Sequence, residues 1–252
     1  MDRPEIRSRS HPLLKRVRAV RAGREPGMVV LEGERLILDA LHAGAKLSAL
    51  LMRTGIEPIE PLCGHAECRQ VESGALDAVS GLTTPPGWIA LVQAPDVLPL
   101  TQLAVRQDTL LLSVCGLADP GNLGALVRVA EASGAAGVAF GPGGARPSNE
   151  KALRGSMGSL LRLPLFRLEE SANLQAVGLR TVVAATRGGV DYRDLDWEGP
   201  RAIWIGSETG ASSLEPPKDA LRATIPMAGS VESLNATTAA TLLLFEAARH
   251  RR

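Results

Sequence analysis

Residues 109–140 read TLLLSVCGLADPGNLGALVRVAEASGAAGVAF, and the apolar period changes twice within them. TLLLSVCGL is a continuous apolar run of strand length, the pattern of a strand buried on both faces. LGALVRVAEASGA then carries apolar residues at helical spacing, with Asn122 expected as N-cap and Gly134 as the stop. GVAFGP returns to a short apolar run. Strand, helix and strand in this order predict a parallel pair joined by a crossover helix.

The alternation continues toward the C-terminus. SNEKALRGSMGSLLR (148–162) reads as a helix, TVVAATR (181–187) and AIWIGSE (202–208) as strands, and TTAATLLLFEAARH (237–250) as a closing helix. Residues 109–252 are therefore expected to form an α/β domain with a parallel sheet covered on both faces. Toward the N-terminus, VVLEGE, LSALLMR and GWIALV read as strands and ERLILDALHAGA as a helix. Residues 1–92 are expected to be a smaller α/β domain. QAPDVLPLTQLAVRQD (93–108) has two prolines and no clear period, and reads as a linker.

Composition sets the limits. The chain has 252 residues, 45% of them hydrophobic, which is enough for a sizeable core and about two domains. Formal net charge is +1, so the molecule as a whole is not a polycation. Residues 1–24, however, hold eight basic side chains against Asp2 and Glu5. Such a segment is a footprint for phosphates or a solvated helix face. Three cysteines make no disulfide framework and suit a reducing cytoplasm. Cys63, His65 and Cys68 stand in CGHAEC, but no second ligand pair follows at zinc-like spacing, so no metal is expected. The basic N-terminus lacks the apolar core of a signal peptide, and no apolar run reaches the length of a membrane span.

In an open α/β sheet, ligands bind outside the C-terminal ends of the strands. The loops expected there are CGLADPGNLG, FGPGGARPS, IGSETGASS and IPMAGSVESLN. GPGG after a strand invites a dinucleotide-binding reading, but Arg146 stands where the third glycine of that fingerprint belongs. The last loop is unusual in another way. Pro226, Gly229, Ser233 and Asn235 crowd the entrance of an apolar helix.

Three segments together resemble a known family. DPGNLGALVRVAEASGA (119–135), IWIGSE (203–208) and IPMAGSVESLNATTAATLLLFE (225–246) resemble, in order and spacing, the motifs of the SpoU (TrmH-like) RNA ribose 2′-O-methyltransferases of the SPOUT superfamily. HPLLKRVRAV, VVLEGERLILDAL and GWIALV are similar to the substrate-binding domain that precedes the catalytic domain in many members. Two departures stand out. Thr209-Gly210-Ala211 replaces a glycine, a variable residue and a second glycine, and Asn235-Ala236-Thr237-Thr238 replaces Asn-Val-Ser-Val.

The resemblance implies a deep trefoil knot, a homodimer packed through it, and methyl transfer from S-adenosylmethionine to a ribose 2′-hydroxyl. It implies a cofactor wall at Gly206, Ile225, Met227, Leu234 and Ala236, where backbone groups read the adenine edges and side chains pack on its face. It assigns the central chemical role to Arg128, beside Asn122, with Ser233, Asn235 and Glu208 completing the polar set. A guanidinium stays protonated in proteins, so Arg128 suits stabilisation of a developing alkoxide better than proton abstraction. Glu208 fits a loop anchor. Arg154, with Lys15, Arg16 and Arg18 of the basic segment, is expected to contact RNA phosphates. The N-terminal module favours 23S ribosomal RNA over transfer RNA as substrate. The alternatives are a tRNA 2′-O-methyltransferase and a catalytically silent RNA-binding protein of the same fold.

Overall fold

The computed structural model describes residues 4–58, 60–64, 66–206 and 212–251. Two compact units emerge, Met1–Pro95 with Ser148–Arg162, and Asp96–Pro147 with Leu163–Arg252. Residues 148–162, read from sequence as part of the C-terminal domain, thus pack with the N-terminal unit.

The first unit contains α1 (Pro12–Arg21), β1 (Met28–Glu32), α2 (Glu34–His42), β2 (Leu47–Arg53), α3 (Glu60–Cys63), β3 (Glu67–Val71), α4 (Ser73–Asp77) and β4 (Trp88–Gln93). Its sheet has the order β1-β4-β2-β3, with β4 antiparallel to both neighbours and β2 parallel to β3. Leu14, Val17 and Val20 recur at helical spacing and bury one stripe of α1 against this unit's core.

The second unit contains β5 (Val97–Pro99), a 3-10 turn at Leu100–Gln102, β6 (Leu110–Val114), α5 (Pro120–Ala132) and β7 (Gly137–Phe140). In chain order there follow α6 (Glu150–Ser156) and α7 (Ser159–Arg162), which belong to the first unit. The second unit resumes with β8 (Leu165–Arg167), α8 (Ala172–Ala176), β9 (Arg180–Ala185), β10 (Val190–Asp191), β11 (Arg201–Ile205), β12 (Leu221–Thr224) and α9 (Ala236–Arg249). Its strands run in the order β10-β12-β9-β11-β6-β7-β8-β5, every pair parallel. Every residue of the central strands β6 and β11 is buried, which is why both read as unbroken apolar runs. Leu111, Cys115, Ala202 and Trp204 pack with Leu174 and Leu179 on one face. α9 packs with α5 and against β6, β9 and β11.

Three expectations need correction. The 93–108 segment is not structureless: β5 adds to the sheet edge beside β8. The expected helix over 148–162 breaks at Met157, whose φ is 47°, and Gly158, whose φ is 88°. A Cβ at Gly158 would lie 2.9 Å from Asp39 Cβ, so the turn needs glycine twice over. Ser156 bridges the break, its hydroxyl donating to the Leu153 carbonyl and accepting from Leu160 N–H. Finally, Asp119 and not Asn122 caps α5. Its carboxylate accepts from Asn122 N–H at 3.1 Å, and Pro120 takes the first helical position.

Candidate active site

Strands β12, β9 and β11 are neighbours, and their C-terminal ends, Thr224, Ala185 and Ile205, finish side by side. A cavity of about 600 Å3 opens there. This lies within the roughly 300–1,000 Å3 of small-molecule sites, at the strand end where open α/β sheets bind ligands. Ile205 and Gly206 form one wall. Ile225, Met227, Ser233 and Leu234, from the irregular segment after β12, form another. Ala236 and Ala239, at the start of α9, close the side.

The segment from Ile225 to Asn235 has no regular structure, and Gly229 turns it at φ 75°. It ends in a cap. Asn235 is extended, and its side-chain oxygen accepts from Thr237 N–H at 2.8 Å, relieving one of the unpaired N–H groups at the start of α9.

Gly206, Ile225, Met227, Ser233, Leu234 and Ala236 therefore meet around one space. Asn235 is not among the lining residues, and its amide oxygen is committed to the helix. Asn122 and Arg128 do not line the cavity either. Asn122 lies in the first turn of α5, and Arg128 is exposed on the same helix, about 9 Å further along its axis. Glu208, with Thr209-Gly210-Ala211, lies outside the described residues.

The expected phosphate contacts belong to the first unit. Lys15 is exposed on α1. Arg16 grips the Glu25 carboxylate and also donates to Ser48 Oγ at 3.2 Å, so its guanidinium serves the fold. Arg18 donates to the Arg9 carbonyl at 2.8 Å. Arg154 sits on α6 with Glu150 3.9 Å away.

The β9 wall was not anticipated. Ala184, Ala185, Thr186 and Arg187 line the cavity, as does Glu232. The signal was present, since TVVAATR reads as a strand and Gly188-Gly189 follows it as a turn. The same rule that singled out the other loops applies to this one. Arg187 and Glu232 are the only ionisable side chains of the lining among the described residues, and they pair at 3.5 Å across the mouth. Nearby, burial pushes the Cys115 thiol at the end of β6 up to about 12, which makes it inert as a nucleophile at neutral pH. Among the described residues, no group of three or more His, Cys, Asp or Glu is placed to hold a metal ion, and no helix is long and apolar enough to cross a membrane.

An AdoMet-bound rRNA methyltransferase from Sinorhizobium meliloti superposes with a TM-score of 0.85 at 26% identity, covering 98% of both chains. The 23S rRNA (guanosine(2553)-2'-O)-methyltransferase RlmP of Bacillus subtilis is 29% identical over 86% of this chain and 86% of its own. The 23S rRNA (uridine(2479)-2'-O)-methyltransferase of Streptomyces viridochromogenes is 36% identical over 66% of this chain and 61% of its own. The model of the SpoU rRNA Methylase family matches residues 109–245, a span that includes every wall of the cavity. With more than half its length matched by that model, the chain belongs to the SpoU rRNA methylase family.

Proposed function

We propose that this chain transfers a methyl group from S-adenosylmethionine to a ribose 2′-hydroxyl of RNA, and of 23S ribosomal RNA rather than transfer RNA. One observation carries the reading: residues far apart in sequence, from Ala184 to Ala239, converge on a single cavity at the strand ends. The names of the relatives above favour ribosomal RNA as substrate.

The residues present fit the cofactor. Ile225, Met227, Leu234 and Ala236 offer an apolar wall for a purine face. Gly206 has no side chain, which lets a ligand approach the backbone closely. S-adenosylmethionine supplies an electrophilic methyl group on a sulfonium. What remains for the protein is to hold the ribose oxygen in line and to stabilise its developing charge, and such positioning accounts for a large share of a displacement barrier. We assign the stabilising role to Arg128, with Asn122 and Ser233 as polar neighbours of the ribose. Asn235 acts through the helix that it caps. Lys15, Arg18 and Arg154 are the phosphate contacts of the first unit, with Arg16 supporting α1.

The active form in this reading is a cytoplasmic homodimer with a knotted C-terminal domain. α9 supports a dimer face: Leu243 and Leu244 are buried within the unit, whereas Phe245 is about half exposed beside the half-buried Leu242. Mapping ribose methylation in total RNA from cells with and without the gene is the test. Loss of one ribosomal site supports the proposal. An unchanged map of rRNA, with loss of a tRNA site, replaces the substrate, and no change in either removes the activity.

A further inference from the structure

The lining of the cavity is uneven in charge. Around Ile225, Leu234, Ala236 and Ala239 it is uncharged, and its formal charges stand together at the mouth, on Arg187 and Glu232. Arg187 Nη2 lies 3.5 Å from Glu232 Oε1, and both side chains are about four-fifths exposed. Gly188, at φ 73°, turns the chain immediately after Arg187. The two residues come from different walls, one from the end of β9 and the other from the segment before α9.

S-adenosylmethionine is uneven in the same way. Its adenosine carries no formal charge. Its amino-acid arm carries a carboxylate and an ammonium on one carbon. Resting on the cofactor reading above, we infer that Arg187 and Glu232 form the receptor for this arm, with Arg187 taking the carboxylate and Glu232 the ammonium. An ion pair so exposed contributes little by itself, so exchanging each partner for a ligand group costs little. The exchange gains a guanidinium–carboxylate contact whose planar, multi-donor geometry suits a carboxylate. Glu232 also adds negative potential at a mouth through which a ligand of net positive charge must pass. The pair therefore distinguishes the intact cofactor from adenosine-like fragments that lack the arm.

The experiment is calorimetry on the full chain with two ligands, S-adenosylmethionine and 5′-methylthioadenosine, which keeps the adenosine and the methylated sulfur but loses the amino-acid arm and, with it, the sulfonium charge. The variants are Arg187→Gln and Glu232→Gln. Arg187→Gln is expected to weaken S-adenosylmethionine about tenfold, the scale of one lost hydrogen bond to a charged group. Binding of 5′-methylthioadenosine should stay within about twofold. Glu232→Gln should give the same selective loss, smaller in size. Equal weakening of both ligands would make the pair a structural feature of the mouth and overturn the inference. So would unchanged binding of both, or unchanged cofactor binding with weakened binding of RNA, which would make Arg187 a phosphate contact. If the unsubstituted chain binds neither ligand, the cofactor reading itself falls, and the inference with it. If it binds both with equal strength, the cavity reading stands and only the receptor for the arm is lost.

Discussion

Replacing Asn235 separates a helix cap from a reacting group. Its side-chain oxygen accepts from Thr237 N–H at 2.8 Å, and Thr237 is the second residue of α9. Asn235→Ala leaves that N–H without its partner, at about 1 kcal/mol. The rest of the helix stays, because Ala240, Leu243, Leu244 and Ala247 remain buried against α5 and the sheet. In differential scanning calorimetry the loss should appear as a fall in Tm of about 2–4 °C for a unit of this size. The functional effect follows from geometry. Ala236 and Ala239, in the first turn and just beyond it, are cavity wall, so a frayed first turn is a broken wall. If the whole cap energy were transferred to the equilibrium between intact and frayed wall, cofactor affinity would fall about fivefold at most. Asn235→Ser and Asn235→Asp supply other cap oxygens, and should restore both Tm and affinity. The refuting result is a serine variant with restored Tm and cofactor affinity whose methyl transfer remains lost by about a hundredfold. Asn235 would then touch the substrate, and the cap would be incidental.

Glu32 offers a pH test in the first unit. Burial alone would raise its carboxyl, but hydrogen bonds from Ser80, Arg21 and Gly81 N–H outweigh burial and hold it below the usual value. Its stabilisation is therefore complete above the unfolded value of about 4.3 and is lost as pH falls through the lowered folded value. Glu32→Gln should cost about 3 kcal/mol at neutral pH and flatten the acid limb of a urea-denaturation series; a parallel limb in both proteins would refute the assignment. Glu150, which burial pushes up, works in the opposite sense, so the comparison must be between the two proteins. Gly189→Ala places a Cβ 2.4 Å from the Arg222 carbonyl oxygen, beside the β10–β12 pair, and should destabilise the second unit by about 1–3 kcal/mol in the same assay. Cys63 and Cys68 hold their sulfurs 2.9 Å apart, so treatment with diamide should join them, with intact mass showing the loss of two hydrogens and Cys115 left unmodified until the chain unfolds. A Cys63–Cys115 or intermolecular product instead would contradict the placement of α3 beside β3.

The parts of the fold that were legible are those where burial leaves no choice of residue. β6 and β11 are buried at every position, so LLLSV and RAIWI could be read as strands without knowing their neighbours. β12 was invisible for the opposite reason: LRAT is only partly buried, yet its backbone pairs with both β9 and β10. A strand of this kind is specified by the ladder on each side of it, which periodicity does not register. The α5 cap was misassigned between two good capping residues, and Pro120 was the overlooked arbiter, since proline favours the first helical position and points to the residue before it. The break at Met157 hid inside a helical pattern because Gly155-Ser156-Met157-Gly158 keeps the apolar spacing while lacking strong helix formers.

The crowding of polar and permissive residues before α9 has a physical reason. Among the described residues, no backbone N–H from Met227 to Leu234 donates to a backbone carbonyl. A buried core segment would not tolerate this, since unpaired backbone groups are costly away from water. Here the segment borders a cavity, and its backbone groups are available to whatever enters. Apolar side chains in it, Ile225, Met227 and Leu234, supply the wall, while Gly229 supplies the turn and Asn235 ends the irregular stretch by starting a helix. A stretch built only to join β12 to α9 would need neither so many residues nor so many unladdered amides. Sequence alone could show that the stretch was odd. It took the neighbouring ends of β9 and β11, brought alongside by a strand order no local pattern records, to show that the odd stretch lines a cavity.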